Sequence, residues 1–201
     1  MNNELVYPLN LPSIYDIIPD LDVCIKEFGP AGYGGRVYTT DMVSTKWKNW
    51  LGLPWNTFMT FYKKDGFKPK LAHTDSTDPA INVWGINFHI GGAGLLELYQ
   101  YEDVTILRKT PDIASPDGAK SYGADYTINN TPVKSYYMPE GAYLVLNSLP
   151  HRATGYDNRF CVTLRCTTMW NLSNDEVLDI FKDYIIDKPL LSKAPGGDSR
   201  I

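Results

Sequence analysis

Histidine and cysteine are the scarce residues of this chain, with three of each among 201. Cys24, Cys161 and Cys166 are odd in number and contain no C-x-x-C pair. That excludes a disulfide framework and a thiolate zinc site, and it points to a reducing compartment. No apolar run approaches the roughly 18 residues that mark a transmembrane helix. Met1-Asn2-Asn3-Glu4 carries neither the basic nor the apolar segment of a secretory signal. A cytoplasmic protein without membrane contact is the expectation, and the sequon at Asn171-Leu172-Ser173 has no meaning there. Positive charge is short as well: 19 Lys+Arg stand against 23 Asp+Glu, for a net charge of −4. An electrostatic nucleic-acid binder has a domain pI above about 9, so this balance counts against nucleic acid as a partner. Internal repeats, low-complexity segments and charge blocks are also missing.

What remains is a soluble, loop-rich domain with 43% apolar and 13% aromatic residues. The length predicts one domain over residues 1–188, with its core at about 55–170, and a frayed tail over 189–201. The first 50 residues read as a mixed arm. Residues 14–28 are partly helical but interrupted by Pro19, residues 29–35 form a glycine-rich loop, and 41–51 suggest a short helix with Asp41 as its cap. The loop has no G-x-G-x-x-G and no strand leading into it, which removes a nucleotide-binding reading. Trp47, Trp50 and Trp55 read as core packing.

From residue 57 the texture turns to short alternating segments: 57–62, 70–74, 80–90, 95–101, 104–108, 133–137, 142–147, 152–154 and 160–167. Close spacing without intervening helices predicts a mainly β protein, an antiparallel sandwich or jelly roll. Residues 112–130 are polar and rich in Pro, Gly and Ser, and they read as a surface loop or lid. Ser173-Asn174-Asp175-Glu176 is a capping box for a closing helix, whose apolar face is Val177, Ile180, Phe181, Tyr184 and Ile185.

His73-Thr74-Asp75 lies at the end of a predicted strand. Residues i and i+2 share a face there, so an imidazole and a carboxylate can converge on one metal ion. His151 follows far downstream, after the Leu149-Pro150 break. Two His and one carboxylate on one face of a metal form the triad of non-haem Fe(II) oxygenases, which leaves the opposite positions open for O₂ and an organic cosubstrate. The rival reading makes His73 a surface residue and Asp75 a turn cap. His89, in Trp84-Gly85-Ile86-Asn87-Phe88-His89-Ile90, reads first as a packed or hydrogen-bonded strand residue and second as a further ligand or substrate contact.

Eight residues after His151 comes Arg159-Phe160-Cys161-Val162-Thr163-Leu164-Arg165. Arg159, Cys161, Thr163 and Arg165 share one face of this strand. Two arginines turned into a small barrel are costly unless they meet anions. A dicarboxylate supplies them, and a guanidinium matches carboxylate geometry bidentately. Turned outward, the same arginines would be ordinary surface charges.

The order H-x-D, second His, then Arg at the start of the next strand resembles the Fe(II)/2-oxoglutarate-dependent dioxygenase superfamily, over roughly residues 57–167. The resemblance implies a double-stranded β-helix, iron on His73, Asp75 and His151, and Arg159 paired with the far carboxylate of 2-oxoglutarate. Residues 141–147, before Leu149-Pro150-His151, also look like the strand that leads to the distal histidine. A partial likeness is to the AlkB-type branch, whose late strand reads R-x-N-x-T-x-R, with Cys161 here in the Asn place. That branch has N-x-Y before its H-x-D, and Thr60-Phe61-Tyr62 stands here, which makes Tyr62 a candidate cosubstrate contact beside Arg165. With Thr60 replacing Asn and an acidic chain, a small-molecule or peptide substrate, prolyl-hydroxylase-like, fits at least as well as nucleic acid. The expected activity is hydroxylation with release of succinate and CO₂, residues 29–35 and 112–130 being candidate lids. Two alternatives stay open: a jelly-roll ligand-binding protein without iron, and a cupin-type metalloenzyme without a cosubstrate.

Overall fold

Strict alternation along the late strands gives each of them two distinct faces, and both faces are covered. A computed structural model describes residues 4–26, 33–39, 42–55, 57–63, 70–76, 81–109, 113–114, 120–121, 124–156 and 158–192. The strands are β1 (Val6–Leu9), β2 (Tyr33–Thr39), β3 (Thr57–Lys63), β4 (Leu71–Thr74), β5 (Trp84–Ile90), β6 (Ala93–Leu98) and β7 (Val104–Lys109). After them come β8 (Ile113–Ala114), β9 (Lys120–Ser121), β10 (Ala124–Ile128), β11 (Lys134–Met138), β12 (Gly141–Leu146), β13 (His151–Tyr156) and β14 (Arg159–Arg165). Helices α1 (Ile14–Ile17) and α2 (Leu21–Lys26) lie in the N-terminal arm, and α3 (Asn174–Phe181) closes the fold.

One six-stranded sheet runs β1-β12-β5-β14-β3-β2, and the other runs β11-β6-β13-β4-β10-β7. The chain passes from sheet to sheet at β3 to β4, β4 to β5, β5 to β6, β11 to β12, β12 to β13 and β13 to β14. All named pairings are antiparallel. This winding is the double-stranded β-helix, or jelly roll, expected for the fold.

The larger apolar core lies behind the first sheet rather than between the two. Trp84, Ile86 and Phe88 of β5, Leu144 of β12, and Val162 and Leu164 of β14 meet Ile17, Leu21, Trp47, Trp55, Val177 and Phe181 there. The arm and α3 thus cover the outer face, and the tryptophans are core, as expected. Between the sheets, Val6, Leu96, Leu98, Tyr136, Tyr143 and Val145 pack one part of the interior, and the rest is a polar cavity. In α3 the capping box forms on both sides: Glu176 N–H donates to Ser173 Oγ, and Ser173 N–H donates to Glu176 Oε2. Phe181 is fully buried and meets Trp50 and Trp55 edge-on, with ring centroids 5.8 and 6.4 Å apart. Phe181→Ala should lower the unfolding free energy by about 3–5 kcal/mol, read as a lower urea midpoint at unchanged slope.

Several expectations need correction. Residues 41–51 do not form a helix where described; turns at 45–49 lead into a 3₁₀ turn at Trp50–Gly52, and Leu51 there has φ of 58°. Residues 33–35, nominated as part of a lid, begin β2 and pair with β3, while 29–32 lie outside the described residues. The polar segment 112–130 is not all loop, because β10 is inserted between β4 and β7. Its residues do alternate, with Ala124, Tyr126 and Ile128 in one apolar cluster and Asp125 and Thr127 between them, but the run is only five residues long and follows a stretch rich in Pro, Gly and Ser. The sequence does not mark β1 inside the arm; it lies at the edge of its sheet, where Pro8 is tolerated and its carbonyl accepts from Ile186 N–H at 2.9 Å. The tail expected from Pro189 is held as far as Leu191, whose carbonyl accepts from Tyr137 N–H at 2.7 Å; residues 193–201 lie outside the described residues. Among the described residues no helix is long and apolar enough to cross a membrane.

Candidate metal centre

β4 ends at Thr74, so His73 and Asp75 straddle the point where the strand leaves the sheet. β13 begins at His151, directly opposite His73 in the antiparallel register. Facing residues of neighbouring strands point the same way, and the two imidazole rings stand with centroids 4.3 Å apart. Ligand-capable atoms of His73, Asp75 and His151 all lie within 4.8 Å of one another. His151 Nδ1–H donates to the Leu149 carbonyl at 2.9 Å, which leaves Nε2 as the metal-capable atom. The His73 side chain keeps 47% of its surface exposed and His151 is buried, so solvent reaches the cluster past His73.

Asp75 divides its two oxygens. Oδ2 accepts from Arg165 Nη2 at 2.6 Å, and Oδ1 lies 3.8 Å from His73 Nε2. Burial alone would raise this carboxyl, but Arg165, then His151 and His73, outweigh it and hold it well below the usual carboxylate range. The group is therefore a carboxylate at neutral pH, with one oxygen oriented toward the histidines.

The cluster opens on a cavity of about 100 Å³ that Arg159, Cys161, Thr163 and Arg165 also line. Phe160, Val162 and Leu164 point the other way, the last two into the outer core, so the arginine face is the inner one. Arg159 is only 3% exposed; its Nη1 donates to His89 Nε2 at 3.0 Å, and its Nε has no partner among the described residues. Burial pushes the Arg159 guanidinium down from its ordinary value, which still leaves it charged at neutral pH. Nε and Nη1 of Arg165 and Oδ1 of Asn87 are likewise buried without a partner among the described residues. Native interiors leave few such groups unpaired, and their concentration in one cavity asks for a ligand.

The side chain of Tyr62, the expected cosubstrate contact, lies outside the described residues. β3 pairs residue 62 with Phe160, and Arg159 with Lys63. Asn87 and Gly94 also line this region without having been expected there. The polar positions 85, 87 and 89 of β5 were the available signal for Asn87, since they recur with the strand period.

No family model matches the chain, and no curated protein matches it. Among solved structures it is similar to E. coli ycfD, at 13% identity and a TM-score of 0.34, over 70% of this chain and 35% of that one. It is also similar to an oxalate oxidase, at 12% identity and a TM-score of 0.26, over 69% of this chain and 53% of that one. A third is the 11S allergen of Cocos nucifera, at 11% identity and a TM-score of 0.25, over 77% of this chain and 35% of that one. The chain spans about a third to a half of the length of these structures.

Proposed function

We propose that the protein is an Fe(II)- and 2-oxoglutarate-dependent oxygenase acting on a small molecule or peptide. The observation that carries this reading is one cavity lined both by a two-His, one-carboxylate cluster and by two guanidinium groups, Arg165 held on Asp75 and Arg159 buried beside His89. Two imidazoles and one carboxylate suit Fe(II) and leave positions for other ligands. The unpartnered N–H groups of Arg159 and Arg165 suit an anion, and a dicarboxylate has a second charged end for Arg159. With both bound, the iron and cosubstrate supply O₂ activation, with 2-oxoglutarate split to succinate and CO₂ and one oxygen atom passed to the substrate. His73, Asp75 and His151 would hold the metal, while Arg165 keeps Asp75 ionised and oriented. Arg159 would bind the far carboxylate, and the apolar wall of Leu96 and Met138 limits water in the cavity.

Fe(II) followed by 2-oxoglutarate, added without oxygen, should produce a weak visible charge-transfer band that His73→Ala abolishes. A wild type that binds iron without the band points to the cupin-type alternative. One that binds no iron points to a ligand-binding protein, and either outcome ends the oxygenase reading.

A further inference from the structure

Gly85, Asn87 and His89 of β5 stand in register with Arg165, Thr163 and Cys161 of β14. His89 is buried, and the metal-capable cluster does not include it. Its ring is held at both nitrogens: Nδ1 lies 3.0 Å from the Met138 carbonyl oxygen, and Nε2 lies 3.0 Å from Arg159 Nη1. A carbonyl only accepts and a guanidinium only donates. The two neighbours therefore dictate one neutral tautomer, with Nδ1–H donating to Met138 and Nε2 accepting from Arg159. Gly94 on β6 gives the pair its room: a Cβ there would collide with the Arg159 guanidinium and stand 3.0 Å from His89 Cε1.

We infer that His89 is a positioning residue, which bridges the Met138 carbonyl to Arg159 and fixes the edge of the guanidinium offered to the anion, with Gly94 as the clearance that permits it. This deepens the proposed function and rests on it for the identity of the anion. An arginine side chain has several rotatable bonds, and ordering it at the moment of binding weakens affinity; a partner that orders it beforehand removes that loss. With Nη1 engaged by His89, the buried Nε is left for the ligand.

His89→Phe keeps a ring of similar size and deletes both bonds. His89→Gln places an amide oxygen near the position of Nε2, and His89→Asn keeps only a donor near that of Nδ1. Calorimetry on anaerobic Fe(II)-loaded protein should show the 2-oxoglutarate dissociation constant rising about tenfold in the Phe and Asn variants, and staying within about threefold of wild type in the Gln variant. Binding of 2-oxopentanoate, which lacks the second carboxylate, should change much less. An unchanged constant in His89→Phe, or an equal rise for both 2-oxo acids, overturns the inference. Gly94→Ala keeps the His89 side chain but crowds the pair and displaces the guanidinium, and should weaken 2-oxoglutarate by a similar factor; no weakening also overturns it. Nitrogen NMR of the metal-free protein should show His89 neutral with the proton on Nδ1, and a proton on Nε2 overturns the inference whatever the anion is. The expected tautomer in a wild type that binds no 2-oxoglutarate overturns the proposed function alone.

Discussion

Asp75→Ala should abolish iron-dependent turnover and weaken Fe(II) binding by about a hundredfold or more, since even outer-shell substitutions at metal sites cost about 10–100-fold. It should also destabilise the metal-free protein, because the Arg165 guanidinium would lose its counterion while its side chain stays only 12% exposed. Breaking a buried pair from one side costs about 3–5 kcal/mol, and the partial exposure here places the effect near the lower figure. Removing both partners, as in Asp75→Leu with Arg165→Met, should recover most of that stability and none of the metal binding. The contrast separates the two roles of one carboxylate. The pH dependence has a definite sign: the folded pKa of Asp75 lies below its unfolded value, which is about 3.9. The contribution of the carboxylate to stability is thus complete above that pH and is lost as pH falls below it toward the folded value. Urea midpoints of the wild type and of Asp75→Ala should converge as the pH is lowered through this range; a constant gap would show that the ion pair does not stabilise the fold.

Arg159→Met has the second large effect, and it falls on cosubstrate choice. The substitution nearly preserves length while removing the charge. A charge-assisted hydrogen bond contributes about 1.5–3 kcal/mol, so the KM for 2-oxoglutarate should rise about tenfold to a hundredfold or more. A site built to hydrogen-bond a group rejects the analogue that lacks it. Wild type should therefore discriminate strongly against 2-oxopentanoate, and Arg159→Met should discriminate little. Succinate release with each 2-oxo acid in competition measures the ratio. If the variant keeps the wild-type preference for the dicarboxylate, Arg159 is not its anchor and Arg165 takes that place.

The legibility of the site differed from strand to strand. His73, Asp75, His151 and Arg159 could be picked out because each occupies a position whose local geometry constrains it: an i, i+2 pair at a strand end, a residue after a proline break, a strand start. For β14 alternation separated Arg159, Cys161, Thr163 and Arg165 from Phe160, Val162 and Leu164, but could not say which set was inside. Both faces of the first sheet are buried, one by the arm and α3 and one by the second sheet, so an apolar face does not by itself mark the barrel interior. The same ambiguity holds for β3. Thr57–Lys63 reads TFMTFYK, with no clean polar and apolar sides, and only pairing with β14 sets its phase. In β10 the alternation of Ala124, Tyr126 and Ile128 with Asp125 and Thr127 spans only five residues, and its place between β4 and β7 is decided by pairing across the chain.

The amino-acid sequence by itself determined the mainly β class, the capping box of α3, and the residues able to form a two-His, one-carboxylate cluster. These follow from local geometry: period two, a cap three residues from its partner, two side chains on one strand face. Only the tertiary structure decided that His73 and His151 stand opposite one another, that the arginines turn inward, and that His89 grips Arg159 against Met138. Those facts depend on register between strands distant in the chain, and register is set when the two sheets wind together around a shared interior.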